Sequence, residues 1–96
     1  MKQVRMLGLF SSGSIVSTRG ALEAMSVADI DPLTLLSRHL RGDWGDLDPI
    51  DKKLNDNAVK EKTRILSAYT LPNGVKIWII TGWDRSATTF LLPEEY

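Results

Sequence analysis

The chain has 96 residues, with 12 basic and 12 acidic side chains, one histidine and no cysteine. That length suits one small domain, and the lack of cysteine excludes disulfides, thiol catalysis and thiolate metal sites. Zero formal charge makes nucleic acid an unexpected partner, because such binding rests mainly on neutralising phosphates.

Residues 1–14 read as an N-terminal arm ahead of a single α+β domain at 15–96. Val4, Met6, Leu7, Leu9 and Phe10 are too apolar for a solvated tail, while Ser11-Ser12-Gly13-Ser14 reads as a joint. The arm is expected either to lie over the core or to be exchanged with a second copy. Its apolar stretch at 6–10 is shorter than the roughly 7–15 residues of a secretory signal. No apolar run approaches the roughly 18–20 residues of a membrane span. A cytoplasmic protein that makes no membrane contact is expected.

Ile15-Val16-Ser17 reads as a short strand, and Thr18 as the N-cap of a helix from Arg19 to about Val27, with Leu22 and Met25 as its apolar pair. Asp31-Pro32 starts a second helix and Gly42 stops it. Leu33, Leu36 and Leu40 mark its buried stripe, with His39 at the margin. Asp48-Pro49 repeats the start signal for a third helix reaching about Glu61. Ile50, Leu54 and Ala58 give it only a narrow seam, so it should lie on the surface.

From Thr63 the apolar period drops to two. Leu71-Pro72-Asn73-Gly74 suits a three-residue hairpin with a left-handed glycine. The register then sets Tyr69 opposite Ile77, Ser67 opposite Ile79 and Ile65 opposite Thr81 on the core face. Leu66, Ala68, Trp78 and Ile80 fall on the other face, and three of them are too apolar for water. An arm, a helix or a partner should cover them. Residues 88–92 form a last strand closed by Pro93. The expected fold is α+β, with two to three N-terminal helices on one face of an antiparallel sheet of three to four strands.

Residues 42–61 hold six acidic against three basic side chains. Capping accounts for Asp48 and Asp51, leaving Asp43 and Asp46 for a turn or for binding. The spacing of a calcium loop is absent, and no cofactor or metal is implied. The surviving catalytic combination is His39 with Arg64, Tyr69, Thr88 and Thr89, alongside Ser67. A metal-independent ribonuclease needs a base for the ribose 2′-hydroxyl, an acid for the leaving oxygen and donors for the phosphorane. These residue types can fill those roles. The bland alternative is a helix-end imidazole, a core tyrosine and β-forming threonines.

The order Gly20-Ala21-Leu22-Glu23-Ala24, Leu36-Ser37-Arg38-His39-Leu40-Arg41-Gly42-Asp43-Trp44-Gly45-Asp46-Leu47, Lys76-Ile77-Trp78-Ile79-Ile80-Thr81 and Thr88-Thr89-Phe90-Leu91-Leu92-Pro93 resembles a family of short bacterial proteins carried on plasmids, phages and integrative elements. More remotely, the layout is similar to the barnase/EndoU/RelE-like ribonucleases. That resemblance implies a cleavage site at His39 and Thr88 or Thr89. The preferred expectation is a protein-binding role in element–host conflict or maintenance, through Trp44, Trp78 and Trp83 as loop or sheet anchors together with Asp43 and Asp46. A homodimer through the arm or the outer sheet face is a further expectation. The alternative is a toxin-like endoribonuclease.

Overall fold

A computed structural model of the chain describes residues 8–96. The part of the expected arm at 1–7 lies outside the described residues. In chain order the elements are β1 (Ser14–Ser17), α1 (Arg19–Val27), α2 (Pro32–Leu40), α3 (Pro49–Glu61), β2 (Ile65–Thr70), β3 (Lys76–Thr81), β4 (Ala87–Leu91) and a C-terminal 3-10 turn, Pro93–Glu95. Each α-helix starts where its cap chemistry places it. Thr18 accepts from the Ala21 amide, Asp31 from Leu33 and Asp48 from Asp51, with proline in the first turn of α2 and α3.

The strands form one sheet in the order β1-β4-β3-β2. The β2–β3 hairpin has the expected register, including Tyr69 opposite Ile77 and Ile65 opposite Thr81. Gly74 at its turn takes φ +84°, and Leu71 N–H bonds the Val75 carbonyl at 2.8 Å.

Two parts of the expected architecture need correction. The sheet is mixed, because β1 runs parallel to β4. The helices are not all N-terminal, since β1 precedes them. Local patterning reveals that residues 15–17 form a strand, but its partner lies some seventy residues away and leaves no local mark on its direction.

α1 and α2 cover one sheet face. Ala21, Met25, Leu35, Leu36 and Leu40 pack on Tyr69, Leu71, Ile77, Ile79 and Phe90. The expected apolar stripes are displaced. Leu33 is 54% exposed whereas Leu35 is only 5% exposed, and Leu22 faces solvent while Ala21 and Met25 are buried. On a helical wheel the buried arc of α2 runs from Leu35 through His39 and Leu36 to Leu40. His39 therefore sits near its middle, not at its margin.

α3 lies along the β2 side of the sheet, where Asn55 bonds the Leu66 backbone. Its Ala58 belongs to a second small core with Trp44 and Ile65, packed by Phe10, Leu47 and Val59. The loop after α2 reaches the same strand: Ala68 N–H bonds the Trp44 carbonyl, and Asp46 N–H bonds the Ala68 carbonyl. Only glycine fits between these two residues. Gly45 has φ +77°, and an added Cβ would stand 1.9 Å from the Ala68 oxygen.

The arm residues that are described lie against their own domain. Leu9 N–H bonds the Leu40 carbonyl at 2.8 Å, and the Phe10 ring stacks on Trp44 with centroids 6.3 Å apart. On the far sheet face, Leu66, Trp78 and Ile80 are half-buried. Trp78 is covered by the C-terminal residues, with the Tyr96 ring edge-on at 5.7 Å. Glu95 anchors that turn by accepting from Leu92 N–H at 2.8 Å and from the Thr18 hydroxyl at 2.6 Å.

Candidate functional site

His39 is fully buried. It enters the core from α2 and meets a network of hydroxyls on the inward face of three strands, touching those of two. Ser67 lies on β2; Thr81 on β3 and Thr88 on β4 are register partners. Nδ1 is 2.5 Å from Ser67 Oγ, and Nε2 is 2.9 Å from Thr81 Oγ1. Thr81 and Thr88 hydroxyls are 2.7 Å apart, and Thr88 donates to the Ser12 carbonyl at 2.7 Å.

That last bond sets the direction of the whole chain. A carbonyl can only accept, so the single Thr88 proton points at Ser12. Thr81 must then donate to Thr88 and accept from His39 Nε2–H. In the neutral ring Nδ1 is then left to accept from Ser67. The imidazole is thus a neutral Nε2–H tautomer with both nitrogens satisfied.

Burial lowers the His39 pKa to about 4, and the positive charge of Arg85 adds to the effect. Phe10 and Trp44 close the site edge-on, at 5.2 and 6.0 Å from the imidazole.

The other candidate catalytic residues do not converge on His39. Thr88 reaches it only through Thr81. Thr89, the register partner of Ile80, belongs to the opposite sheet face. Arg64 bonds the Tyr96 hydroxyl and stacks over its ring, 5.5 Å from the centroid. Tyr69 donates to the Asp43 carbonyl at 2.6 Å, under the Arg38 guanidinium at 4.6 Å. Burial pushes its phenol up to about 12.

The candidate partner-binding residues also separate. Trp44 is expected as an exposed loop anchor, but it is buried, because its indole N–H donates to Asp56 at 2.9 Å and its ring packs in the second core. Trp78 is half-buried beneath Tyr96. Trp83 is 70% exposed. Asp43 pairs with Arg38 at 2.7 Å, and this bond holds its carboxyl below the usual range. Asp46 accepts from the Thr70 hydroxyl at 2.6 Å. Both aspartates fasten the loop to its surroundings, which is the turn role.

Sequence reasoning missed three features here. Thr81 had a signal: a polar residue on the inward face of a strand needs a partner, and the hairpin register placed it there. Arg85 had none. It adopts φ +59° and donates to the carbonyls of Thr63, Ala58 and Gly82 at 2.7–3.0 Å. It thereby ties the loop bearing Trp83 to the C-terminal end of α3. The third feature is an open groove of about 390 Å³ between α3 and β2, with Leu47, Leu54, Ala58 and Leu66 among its walls and Glu61 and Arg64 at its polar side.

Among the described residues, no cluster of three or more His, Asp or Glu side chains is placed to hold a metal, and no helix is long and apolar enough to cross a membrane. No family model, curated protein or solved structure matches this chain.

Proposed function

We propose that this chain acts by binding another protein, and that the binding surface is the α3–β2 groove with the adjoining Trp83 loop. One observation carries the reading: an open groove of about 390 Å³, in which Leu47, Leu54, Ala58 and Leu66 are interspersed with polar side chains, lies beside an exposed indole with no covering element among the described residues. Leu54 is 60% and Trp83 70% exposed, and Arg85 holds the indole's loop beside the groove. A bulky, rigid indole beside a cleft that mixes apolar and polar walls is a common composition of an interface anchor. The half-buried Leu66 and Ile80 continue this surface onto the outer sheet face. A role in element–host conflict or maintenance rests on the resemblance to short mobile-element proteins.

The buried imidazole lends no support to a ribonuclease. Its nitrogens are both engaged, and Arg64 is committed to Tyr96 on a different part of the surface.

The test is affinity capture from a bacterial host carrying the chain's own genetic element, with the wild type beside Leu54→Asp and Trp83→Ala. The expected result is one retained protein, lost or weakened at least about tenfold by either substitution. Retention indifferent to both substitutions contradicts the reading. So does host RNA cleavage that vanishes with His39→Ala.

A further inference from the structure

The two edges of the sheet are treated differently. On the β2 edge, the Asn55 side chain accepts from Leu66 N–H and donates to the Leu66 carbonyl. Backbone groups of Trp44 and Asp46 satisfy Ala68. That edge is closed at Leu66 and Ala68.

Among the described residues, the β1 edge is open. Ser14 N–H bonds the Ser86 carbonyl, and Thr18 N–H bonds the Phe90 carbonyl. In a parallel ladder these alternate, so the even-numbered residues face β4. The N–H and C=O groups of Ile15 and Ser17 therefore point away from the sheet, and no described residue takes them up. All four β1 residues are exposed. Exposed edges are normally blunted by lysine, proline, a bulge or a cover, and Ser-Ile-Val-Ser has none of the first three.

We propose that the β1 edge pairs with the β1 edge of a second copy of this chain, antiparallel about a two-fold axis at Val16, joining the two sheets into one of eight strands. In this register Ile15 and Ser17 exchange backbone bonds with Ser17 and Ile15 of the second copy. Val16 meets its own counterpart at a non-hydrogen-bonded position.

Two observations favour a second copy over an unrelated strand. Residues 8–18 carry no charged side chain, so identical segments meet without the like-charge repulsion that self-pairing otherwise brings. A charged peptide would find nothing complementary there. In addition, Leu66, Ile80, Thr89 and Val16 are successive register partners across the four strands. The two-fold continues this outer-face row directly into that of the other molecule. Gly13, at φ +60°, and the start of α1 limit pairing to these four residues. The contact is therefore smaller than the roughly 1,200–2,000 Å² of a standard stable interface, and the association is weak and concentration-dependent.

Sedimentation equilibrium up to about 1 mM, where even weak pairing is populated, should show an average mass rising toward twice the 10.7 kDa of one chain. Val16→Lys sets two cations face to face at a position already exposed to solvent, and should hold the mass at one chain throughout. The wild type has no cysteine, so Val16→Cys supplies a single thiol at a spacing suited to a disulfide. On mild oxidation it should form covalent dimers at least about tenfold faster than Ile50→Cys, whose site on α3 is 74% exposed. A wild type that stays monomeric, a dimer that survives Val16→Lys, or equal cross-linking of the two thiols overturns the proposal. None of these outcomes touches the Leu54 and Trp83 surface, so the two readings fail independently.

Discussion

His39 shows how a residue with catalytic potential becomes part of a core. Its hydroxyl partners come from two strands, Thr88 extends the network to a third, and the Ser12 carbonyl at its end leaves the neutral ring only one arrangement of protons. Charging the imidazole would place a donor against Ser67 and a cation beside Arg85, in a site closed by two aromatic rings. The consequence appears in stability. An unfolded histidine titrates near its ordinary 6.5, and the folded one at about 4. Between those values the unfolded chain binds more protons, so the contribution is complete above about pH 6.5 and is lost as pH falls toward 4. The expected loss over that window is about 3 kcal/mol, measurable by urea unfolding at a series of pH values. His39→Gln should lower stability at pH 7 yet flatten the slope between pH 6.5 and 4.5. An unchanged slope in that variant would mean that other groups titrate there. The sequence shows the histidine and the strand hydroxyls. It could not show that they converge, because a few tens of degrees on a helical wheel separate the margin of a stripe from its centre.

At the scale of elements, side chains finish what backbone pairing leaves undone. Asn55 supplies β2 with a donor and an acceptor in the place of a fifth strand. Asn55→Ala leaves the Leu66 amide and carbonyl without these partners and should cost about 2 kcal/mol in denaturant unfolding. Asn55→Asp should be worse, since it sets a carboxylate against a carbonyl oxygen. A loss under about 0.5 kcal/mol for both would show that water replaces the amide without penalty. The elements themselves were largely legible. Asp-Pro starts, a threonine cap and the Pro-Asn-Gly turn are local chemistry, and they placed three helices and a hairpin with the right register. Less legible were the features that depend on distant partners: the parallel pairing of β1, the position of α3 at the sheet's side, and the burial of Trp44 through its bond to Asp56.

For the molecule as a whole, the helices seal one sheet face around a neutral imidazole, while among the described residues the α3–β2 groove, the Trp83 loop and the β1 edge stay open. The sequence indicated that both sides of the meander are apolar and that the outer one needs a cover. The C-terminal residues supply part of it by placing Tyr96 on Trp78, a contact that no periodicity announces. This division of the molecule into a closed interior and an open rim is the basis of the binding role proposed for its surface. Because the chain has a single histidine, nuclear magnetic resonance titration of that one imidazole tests the division most directly. The expected result is a midpoint near pH 4, with nitrogen shifts of an Nε2–H tautomer retained through neutrality. A midpoint near 6.5, or free exchange between tautomers at pH 7, would mean that the imidazole meets solvent, and would return His39 to the candidates for catalysis.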